Sequence, residues 1–125
     1  MERLPEEIEW HFGRFLDLIQ DRQDRRSDLS TLRIRHKVRA QKGRVYWKIF
    51  IDEEELATGF DIDYPTGCTA TRIFGFVRRK DGAIFRAATY KAPETRTKTA
   101  IRGYIFDSNP REYFSDYGII YAEGP

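Results

Sequence analysis

The pattern of apolar and polar residues begins with a segment of helical period. Its apolar residues recur every three or four positions, which predicts an amphipathic helix over residues 5–26. Acidic residues near its start and arginines near its end complement the helix dipole. We expect the apolar stripe to face the core rather than a partner, because a lone helix of this size needs packing to persist. The stripe consists of Leu4, Ile8, Phe12, Phe15, Leu16 and Ile19.

From Leu32 the period changes to two, which predicts a β-hairpin over residues 32–51. If Lys42-Gly43 forms a two-residue turn, position 38 faces 47 and position 37 faces 48. In that register all the apolar residues share one face and all the basic residues share the other. The apolar face would carry Leu32, Ile34, His36, Val38, Ala40, Val45, Trp47, Ile49 and Ile51.

The remaining chain is predicted as a connection, a second hairpin and a C-terminal segment. Residues 53–69 lose periodicity and gather glycine and proline, so they are interpreted as an acidic connection. Residues 71–91 form a hairpin in which Gly82 takes a positive φ. Its first strand is apolar on both faces, as expected of a central strand. Residues 92–125 comprise a basic loop and a short strand around Ile119–Tyr121.

Length and composition favour one folded domain. The chain has 125 residues, enough for a single core, and 14% are aromatic, which favours a folded chain. We therefore predict an α+β fold: an N-terminal amphipathic helix packed on an antiparallel sheet built from two β-hairpins, with a short C-terminal strand. A single cysteine excludes an intramolecular disulfide, and the absence of an apolar span or a signal-like N-terminus predicts a cytoplasmic protein.

Charge is segregated along the chain although the net charge is only +2. Residues 28–52 carry +5, residues 53–69 carry −5 and residues 70–102 carry +7. Such blocks create local potential that could attract an anionic partner. Pairing of the blocks with each other is an equally good interpretation at this point.

The basic face of the first hairpin is the main candidate site. Cations interleaved with aromatic residues attract phosphate and stack on bases, as in single-strand binders. The predicted register places Lys37 opposite Lys48, and this repulsion requires neutralisation by carboxylates of residues 53–63 or by a bound anion. The candidate residues are Arg33, Arg35, Lys37, Arg39, Arg44, Tyr46, Lys48 and Phe50.

A second basic cluster follows the second hairpin. Guanidinium groups and threonine hydroxyls there could hold a phosphate, although a mobile surface loop would have the same composition. The cations are Lys91, Arg96, Lys98 and Arg102.

Recognisable catalytic and metal-binding motifs are absent from the sequence. His11 and His36 are the only imidazoles, and the helix and strand patterns already account for both. Asp61 and Asp63 lack the glycine and terminal glutamate of a calcium loop. We therefore predict no catalytic residue, no metal site and no cofactor, and hence a protein that is not an enzyme.

One stretch carries a family resemblance. At GFVRRKDGAIFRAATYKAP followed by AIRGYIFD, the chain resembles a recurring group of small proteins encoded by tailed bacteriophages, a group without an assigned activity. The resemblance covers roughly residues 46–121, and the span between Pro93 and Arg102 is longer here than in the group's pattern. It implies a phage or prophage origin rather than a reaction. The matching residues are Gly82, Lys91, Ala92, Pro93, Arg102, Gly103, Phe106 and Asp107, with a weaker match at Tyr117-Gly118.

Two functions are consistent with these features. The first is a non-enzymatic phage accessory protein that binds nucleic acid or a phosphorylated small molecule through the basic-aromatic face and the 91–102 loop. The alternative is a protein-interaction module, such as an inhibitor of a host enzyme or defence protein or a minor virion component, anchored by exposed aromatics. Homo-oligomerisation is left open, and no membrane partner is expected. The anchors would be Tyr46, Phe50, Tyr113 and Phe114.

Overall fold

One N-terminal helix packs on a five-stranded antiparallel sheet, which confirms the predicted α+β class. The computed structural model describes residues 4–29, 34–59, 62–89, 91–96 and 100–120, with the backbone alone for 26–29, 55–59 and 62–69. No helix within these ranges is both long and apolar enough to cross a membrane.

Helix α1 spans Pro5–Leu29, three residues beyond its predicted end. The predicted stripe is buried against the sheet from Ile8 to Ile19, and Gln23 extends it by one further turn. Gln23 is fully buried, and its amide nitrogen donates to the Asp116 carbonyl at 2.8 Å, which offsets part of the cost of burying this polar group. Leu4 is 66% exposed, so its inclusion in the stripe was wrong; it precedes the helix and lies beyond the sheet-facing turns.

Neighbouring strands in the sheet are also neighbours in sequence, in the order β1-β2-β3-β4-β5. Antiparallel strands that follow one another in the chain can pair directly, which gives this simple order. The strands are β1 (Ile34–Lys42), β2 (Tyr46–Gly59), β3 (Ile62–Arg78), β4 (Ala83–Phe85) and β5 (Ile101–Tyr104), followed by a 3-10 helix at Pro110–Tyr113.

The turn of the first hairpin corrects the predicted register. The Gly43 N–H donates to the Tyr46 carbonyl at 2.8 Å, so Arg44 and Val45 form the tip rather than Lys42-Gly43. Lys37 therefore lies opposite Asp52 instead of Lys48. Because the shift is four residues, an even number, the side chains of residues 34–42 and 46–51 keep their predicted face. The observed register replaces a like-charge pair with an attractive one.

Residues 53–69 are not a connection, which is a second correction. Residues 53–59 belong to β2 and residues 62–69 to β3, and these strands pair with each other from Tyr46–Arg78 to Gly59–Ile62. The register shifts between Ile49 and Phe50, between Glu53 and Glu54, and between Glu55 and Leu56. Such bulges interrupt the two-residue alternation by which a strand is recognised, so the strand pattern is lost from the sequence where the strands continue.

Both faces of the sheet are covered near β3, as predicted for a central strand. On the helix side, Phe12 stacks on Trp47 with ring centroids 4.0 Å apart, above a core that includes Ile49 and Val77. On the opposite side, a smaller cluster joins Phe76, Ala83, Phe85 and Ala100, with Tyr46, Ile73 and Ala87 at its margin.

The second hairpin and the C-terminal segment differ from prediction in extent. Gly82 has the predicted positive φ, at 75°. β4 ends at Phe85 rather than near residue 91, because the chain bends and only Ala87 and Pro93 form an isolated bridge. The predicted strand at 119–121 is reduced to a bridge between Phe114 and Ile119, and Tyr121 lies outside the described residues.

Candidate functional site

Ion pairs within the protein neutralise much of the predicted basic face. Arg35 donates from Nε and Nη2 to Glu54 Oε2, the Nε bond measuring 3.0 Å. Arg39 Nε lies 2.6 Å from Asp52 Oδ2. Glu54 lies on the part of β2 that was interpreted as a connection, and Asp52 lies two residues before it on the same strand. The sequence left open whether the protein's own carboxylates or a bound anion neutralise this face. For Arg35 and Arg39, the protein's own carboxylates do so.

Asp52 is the centre of this neutralisation. Burial favours its protonated form, but hydrogen bonds from Thr71 and Arg39 outweigh that effect, so the pKa of Asp52 lies below its ordinary value. Lys37, opposite Asp52 in the register, lowers the same pKa through its charge. Asp52 is therefore ionised at neutral pH and places one negative charge beside two cations of the face, Arg39 and Lys37.

Phe50 is not an exposed stacking platform, which corrects its predicted role. Its exposure is 2%, and two cations lie over its ring. Arg39 Cζ lies 4.3 Å and Lys48 Nζ lies 5.3 Å from the ring centroid. A base cannot reach a ring covered in this way, whereas the cations gain a cation–π contact.

Four predicted site residues do come together, around a pocket of about 210 Å³ at the turn end of the first hairpin. The pocket lies on the sheet face opposite α1 and joins the two basic clusters identified in the sequence. Arg44 and Lys91 are exposed, whereas Tyr46 and Lys48 are half-buried. Among the residues that the structure describes, no acidic residue lines it. We call it the turn pocket; its walls are Gln41, Gly43, Arg44, Val45, Tyr46, Lys48, Phe76, Lys91 and Pro93.

The turn pocket combines positive charge with an aromatic wall. Tyr46 meets Phe76 and Phe85 edge to face, with centroids 6.0 and 5.6 Å apart, and this packing holds its ring in place. Lys48 Nζ lies 6.0 Å from the Phe76 ring centroid. Among the described residues, neither Arg44 nor Lys91 forms a side-chain ion pair.

Arg79 holds the hairpin turn that forms one side of the pocket. Its backbone N–H donates to Val45 O at 2.9 Å, and its Nη1 donates to Gly43 O at 2.8 Å and Arg44 O at 3.2 Å. These bonds satisfy three consecutive carbonyls of an otherwise exposed turn. Arg79 is thus a positioning residue for Arg44, although the sequence analysis did not select it.

A compact turn after β4 supplies Lys91 on the other side. Thr89 Oγ1 accepts from the N–H groups of Lys91 and Ala92, each at 3.2 Å. The Ala92 carbonyl accepts from Ala88 N at 3.0 Å, and Pro93 bridges back to Ala87. The threonine accepts like an Asx or ST turn residue. This turn and the first hairpin are far apart in sequence and line the same pocket, so no local sequence pattern indicates their approach.

The other predicted residues lie elsewhere. Arg96 pairs with Glu94, its Nε 3.6 Å from Oε1, and its side chain is 86% exposed. Arg102 belongs to β5 rather than to a loop, because residues 101–104 pair with β4. Arg33 and Lys98 lie outside the described residues. Phe76 and Pro93 were not selected as site residues, although Phe76 was recognised as apolar on the second face of its strand.

The two histidines and the acidic residues do not form a catalytic group within the described residues. His36 is buried under α1, where its carbonyl accepts from Gln20 and its ring lies 3.8 Å from Glu53. In the described part of the chain, no three His, Cys, Asp or Glu side chains are grouped to hold a metal ion. Asp61 and the side chain of Asp63 are not described.

Two of the aromatic anchors expected of a protein-interaction module are buried. Phe50 and Phe114 are 2% and 3% exposed, so they stabilise the fold and cannot anchor a partner. Tyr113 is half-buried, and its hydroxyl donates to Asp107 at 2.6 Å. Only Tyr46 remains available, and it lines the turn pocket.

The described chain is thus an α+β protein: an antiparallel sheet with a helix on one face and a cationic pocket with an aromatic wall on the other. Comparisons with protein-family models, with curated proteins and with solved structures each found no match.

Proposed function

We propose that this chain is a non-enzymatic accessory protein of phage origin that binds a phosphate-bearing partner at the turn pocket. The observation that supports binding is the convergence of Arg44, Lys48 and Lys91 beside Tyr46 in a pocket whose described lining contains no carboxylate. The phage origin rests on the sequence resemblance of residues 46–121. The site is smaller than the face expected from sequence, because Arg35 and Arg39 are already paired.

The partner favoured by this geometry is single-stranded nucleic acid or a nucleotide. Guanidinium and ammonium groups bind phosphate oxygens, and an aromatic ring beside them can contact a base. Arg44 at the hairpin tip and Lys91 on the neighbouring turn are exposed, so they can reach a ligand without losing an ion pair. Single-stranded nucleic acid and a free nucleotide share the same ligand chemistry, which is one phosphate next to one base.

Binding can be tested by fluorescence anisotropy of a labelled oligothymidylate over a salt titration. For single strands, log K falls with log salt by about 0.7 for each phosphate neutralised. The double variant Arg44→Gln/Lys91→Gln should therefore reduce the slope by about 1.4 and weaken binding at low salt. No association of the unmodified protein at low salt would remove the nucleic-acid proposal.

A charge-matched control separates the pocket from general electrostatics. Arg25→Gln/Lys80→Gln also removes two exposed cations, neither of which lines the turn pocket. It should leave the oligothymidylate affinity within about twofold of the wild-type value, the size expected of weak long-range charge effects. Equal losses in the two double variants would point to non-specific attraction instead.

Competition distinguishes the two sources of the ligand. If the pocket binds one nucleotide unit, thymidine monophosphate should displace the oligomer, whereas thymidine should not. If only longer strands compete, the partner is a nucleic acid that needs several contacts. Tyr46→Leu keeps an apolar side chain in the cluster but removes stacking, and it should cost about 1–3 kcal/mol of binding free energy.

A further inference from the structure

A second cleft, of about 290 Å³, lies on the other side of the sheet, between α1 and residues 105–111. It is separate from the turn pocket, and the two have no lining residue in common. One wall comes from the helix and the other from the segment that follows β5. Its polar groups come from His11, Arg14, Asp107, Ser108, Asn109 and Arg111.

The wall formed by residues 105–111 is held rigidly by hydrogen bonds. Asp107 Oδ2 accepts from Tyr104 N at 2.9 Å and from the Tyr113 hydroxyl at 2.6 Å. The Ile105 N–H donates to Gly82 O at 3.0 Å and joins this segment to the β3–β4 turn. A Cβ at Gly103 would lie 2.2 Å from the Tyr113 ring, so glycine is required for this closure. The cleft is therefore present before any ligand arrives, which favours binding.

The charges of the cleft favour a monoanion. Arg14 and Arg111 are exposed, and neither forms an ion pair with another described residue. Arg14 Cζ lies 5.2 Å from the Trp10 ring centroid, which leaves its guanidinium donors available. One oxygen of the Asp107 carboxylate, Oδ2, accepts from both Tyr104 and Tyr113. The lining residues include two arginines and one aspartate, which together carry a net charge of +1.

The floor of the cleft is apolar. Phe15 and Ile105 are 1% and 3% exposed and belong to the main core, and Leu18 and Phe106 pack beside them. The His11 ring meets Phe106 edge to face at 4.7 Å and closes one end. Since Phe15 and Ile105 are almost fully buried already, the apolar surface open to a ligand comes mainly from the half-buried Leu18 and Phe106. A ligand with an apolar body would cover that surface, whereas a small hydrated ion would leave it exposed to water.

We propose that this cleft, which we call the helix cleft, binds a small organic carboxylate whose apolar body rests on the Phe15–Phe106 floor. The carboxylate would accept from the guanidinium groups of Arg14 and Arg111, which offer the paired donors that a planar carboxylate accepts best. A single negative charge matches the net charge of the lining. The body is aromatic or branched aliphatic, because its neighbours are two phenyl rings and two branched aliphatic side chains.

Phenylacetate is the probe for this proposal, titrated into the full chain at neutral pH and followed by two-dimensional amide NMR. Saturable shifts are expected at residues 105–111 and in the second and third turns of α1. Acetate lacks the apolar body and 2-phenylethanol lacks the charge, so each should bind at least fivefold more weakly. Equal binding of 2-phenylethanol, or no saturable shift with phenylacetate, would overturn the proposal.

Single arginine variants identify the charged contacts. Arg14→Gln and Arg111→Gln should each weaken phenylacetate binding by about fivefold to thirtyfold, the loss of a charge-assisted hydrogen bond. Arg25→Gln, on the same helix but outside the cleft, should bind as the wild-type chain does. Unchanged affinity in both Arg14→Gln and Arg111→Gln would overturn the assignment, as would tighter binding of phenyl phosphate than of phenylacetate.

The experiments distinguish a failure of this proposal from a failure of the proposed function. Arg44→Gln/Lys91→Gln should retain phenylacetate binding, and Arg14→Gln should retain oligothymidylate binding. Competition between phenylacetate and oligothymidylate would show that the two ligands share one site and would contradict a separate helix cleft.

Discussion

Gln20 of the helix accepts a hydrogen bond from the backbone N–H of Val38 at 2.9 Å. The same carboxamide donates to the carbonyl of His36, also at 2.9 Å. Strand β1 is an edge of the described sheet, and no other described strand pairs with its outward N–H and C=O groups. Gln20 therefore makes the two hydrogen bonds that a neighbouring strand would make at this position, and it connects α1 to the edge strand.

Replacing Gln20 should destabilise the fold. We expect Gln20→Ala to lower the free energy of unfolding by about 1–3 kcal/mol, because two backbone groups lose their partner. Gln20→Glu should cost a similar amount, since a carboxylate cannot donate to the His36 carbonyl. Urea unfolding gives the comparison, and Gln41→Ala, an exposed glutamine on the same strand, is the control. Equal stability of Gln20→Ala and Gln41→Ala would contradict this role.

Asp52 should make stability depend on acid pH. Because the pKa of Asp52 is below its ordinary value of 3.8 in the folded chain, its ionised form stabilises the fold above that pH. This contribution is lost as the pH falls through the lower, folded pKa. Asp52→Asn should therefore be less stable than wild type at neutral pH, by about 1–3 kcal/mol, and the difference should shrink in strong acid.

The same variant tests the neutralisation of the basic face. Without Asp52, the charges of Lys37 and Arg39 are uncompensated, so Asp52→Asn should bind oligothymidylate more tightly at low salt. Thr71→Val removes a hydrogen bond to Asp52 but no charge, and it should leave that affinity unchanged. An affinity that does not rise in Asp52→Asn would mean that anions do not approach this face.

Two glycines should respond in opposite directions to alanine. A Cβ at Gly43 would lie 2.8 Å from the Tyr46 carbonyl oxygen, so Gly43→Ala should force the turn apart and cost about 1–3 kcal/mol. Because Arg44 and Tyr46 follow this turn, oligothymidylate binding should weaken as well. Gly13 has no atom within 4 Å of its Cβ position and lies in α1, so Gly13→Ala should stabilise the fold by up to about 1 kcal/mol. Thermal unfolding of both variants tests the contrast.

Tyr113 should make stability fall at alkaline pH. Its hydrogen bond to Asp107, together with burial, raises the pKa of the phenol from 10.0 to about 12. A raised folded pKa stabilises the fold below the unfolded value, and this contribution is lost as the pH rises from 10.0 towards about 12. Tyr113→Phe should be less stable than wild type at neutral pH, and its disadvantage should narrow across that range. A constant difference, measured by urea unfolding, would contradict the assignment.

Periodicity was sufficient for the elements that obey it. The helix, the face of each residue in the first hairpin and the central position of β3 follow from local spacing, because burial on one side selects a period of 3.6 or 2. Gly82 was also predictable, since a tight turn there requires a positive φ. The chemical type of the site residues, cations beside an aromatic ring, was likewise visible in the chain.

Contacts between distant segments set the rest. The four-residue change in register depends on Lys37 meeting Asp52, and the continuation of β2 and β3 through residues 53–69 depends on their pairing across several bulges. The turn pocket exists because the 87–93 turn brings Lys91 beside the first hairpin. Spacing along a chain indicates which side of a strand a residue occupies, but it does not identify the residue that lies opposite on the neighbouring strand. Consequently the positive residues could be found in the sequence. Only the tertiary structure distinguishes the cations that form ion pairs from those that line a pocket.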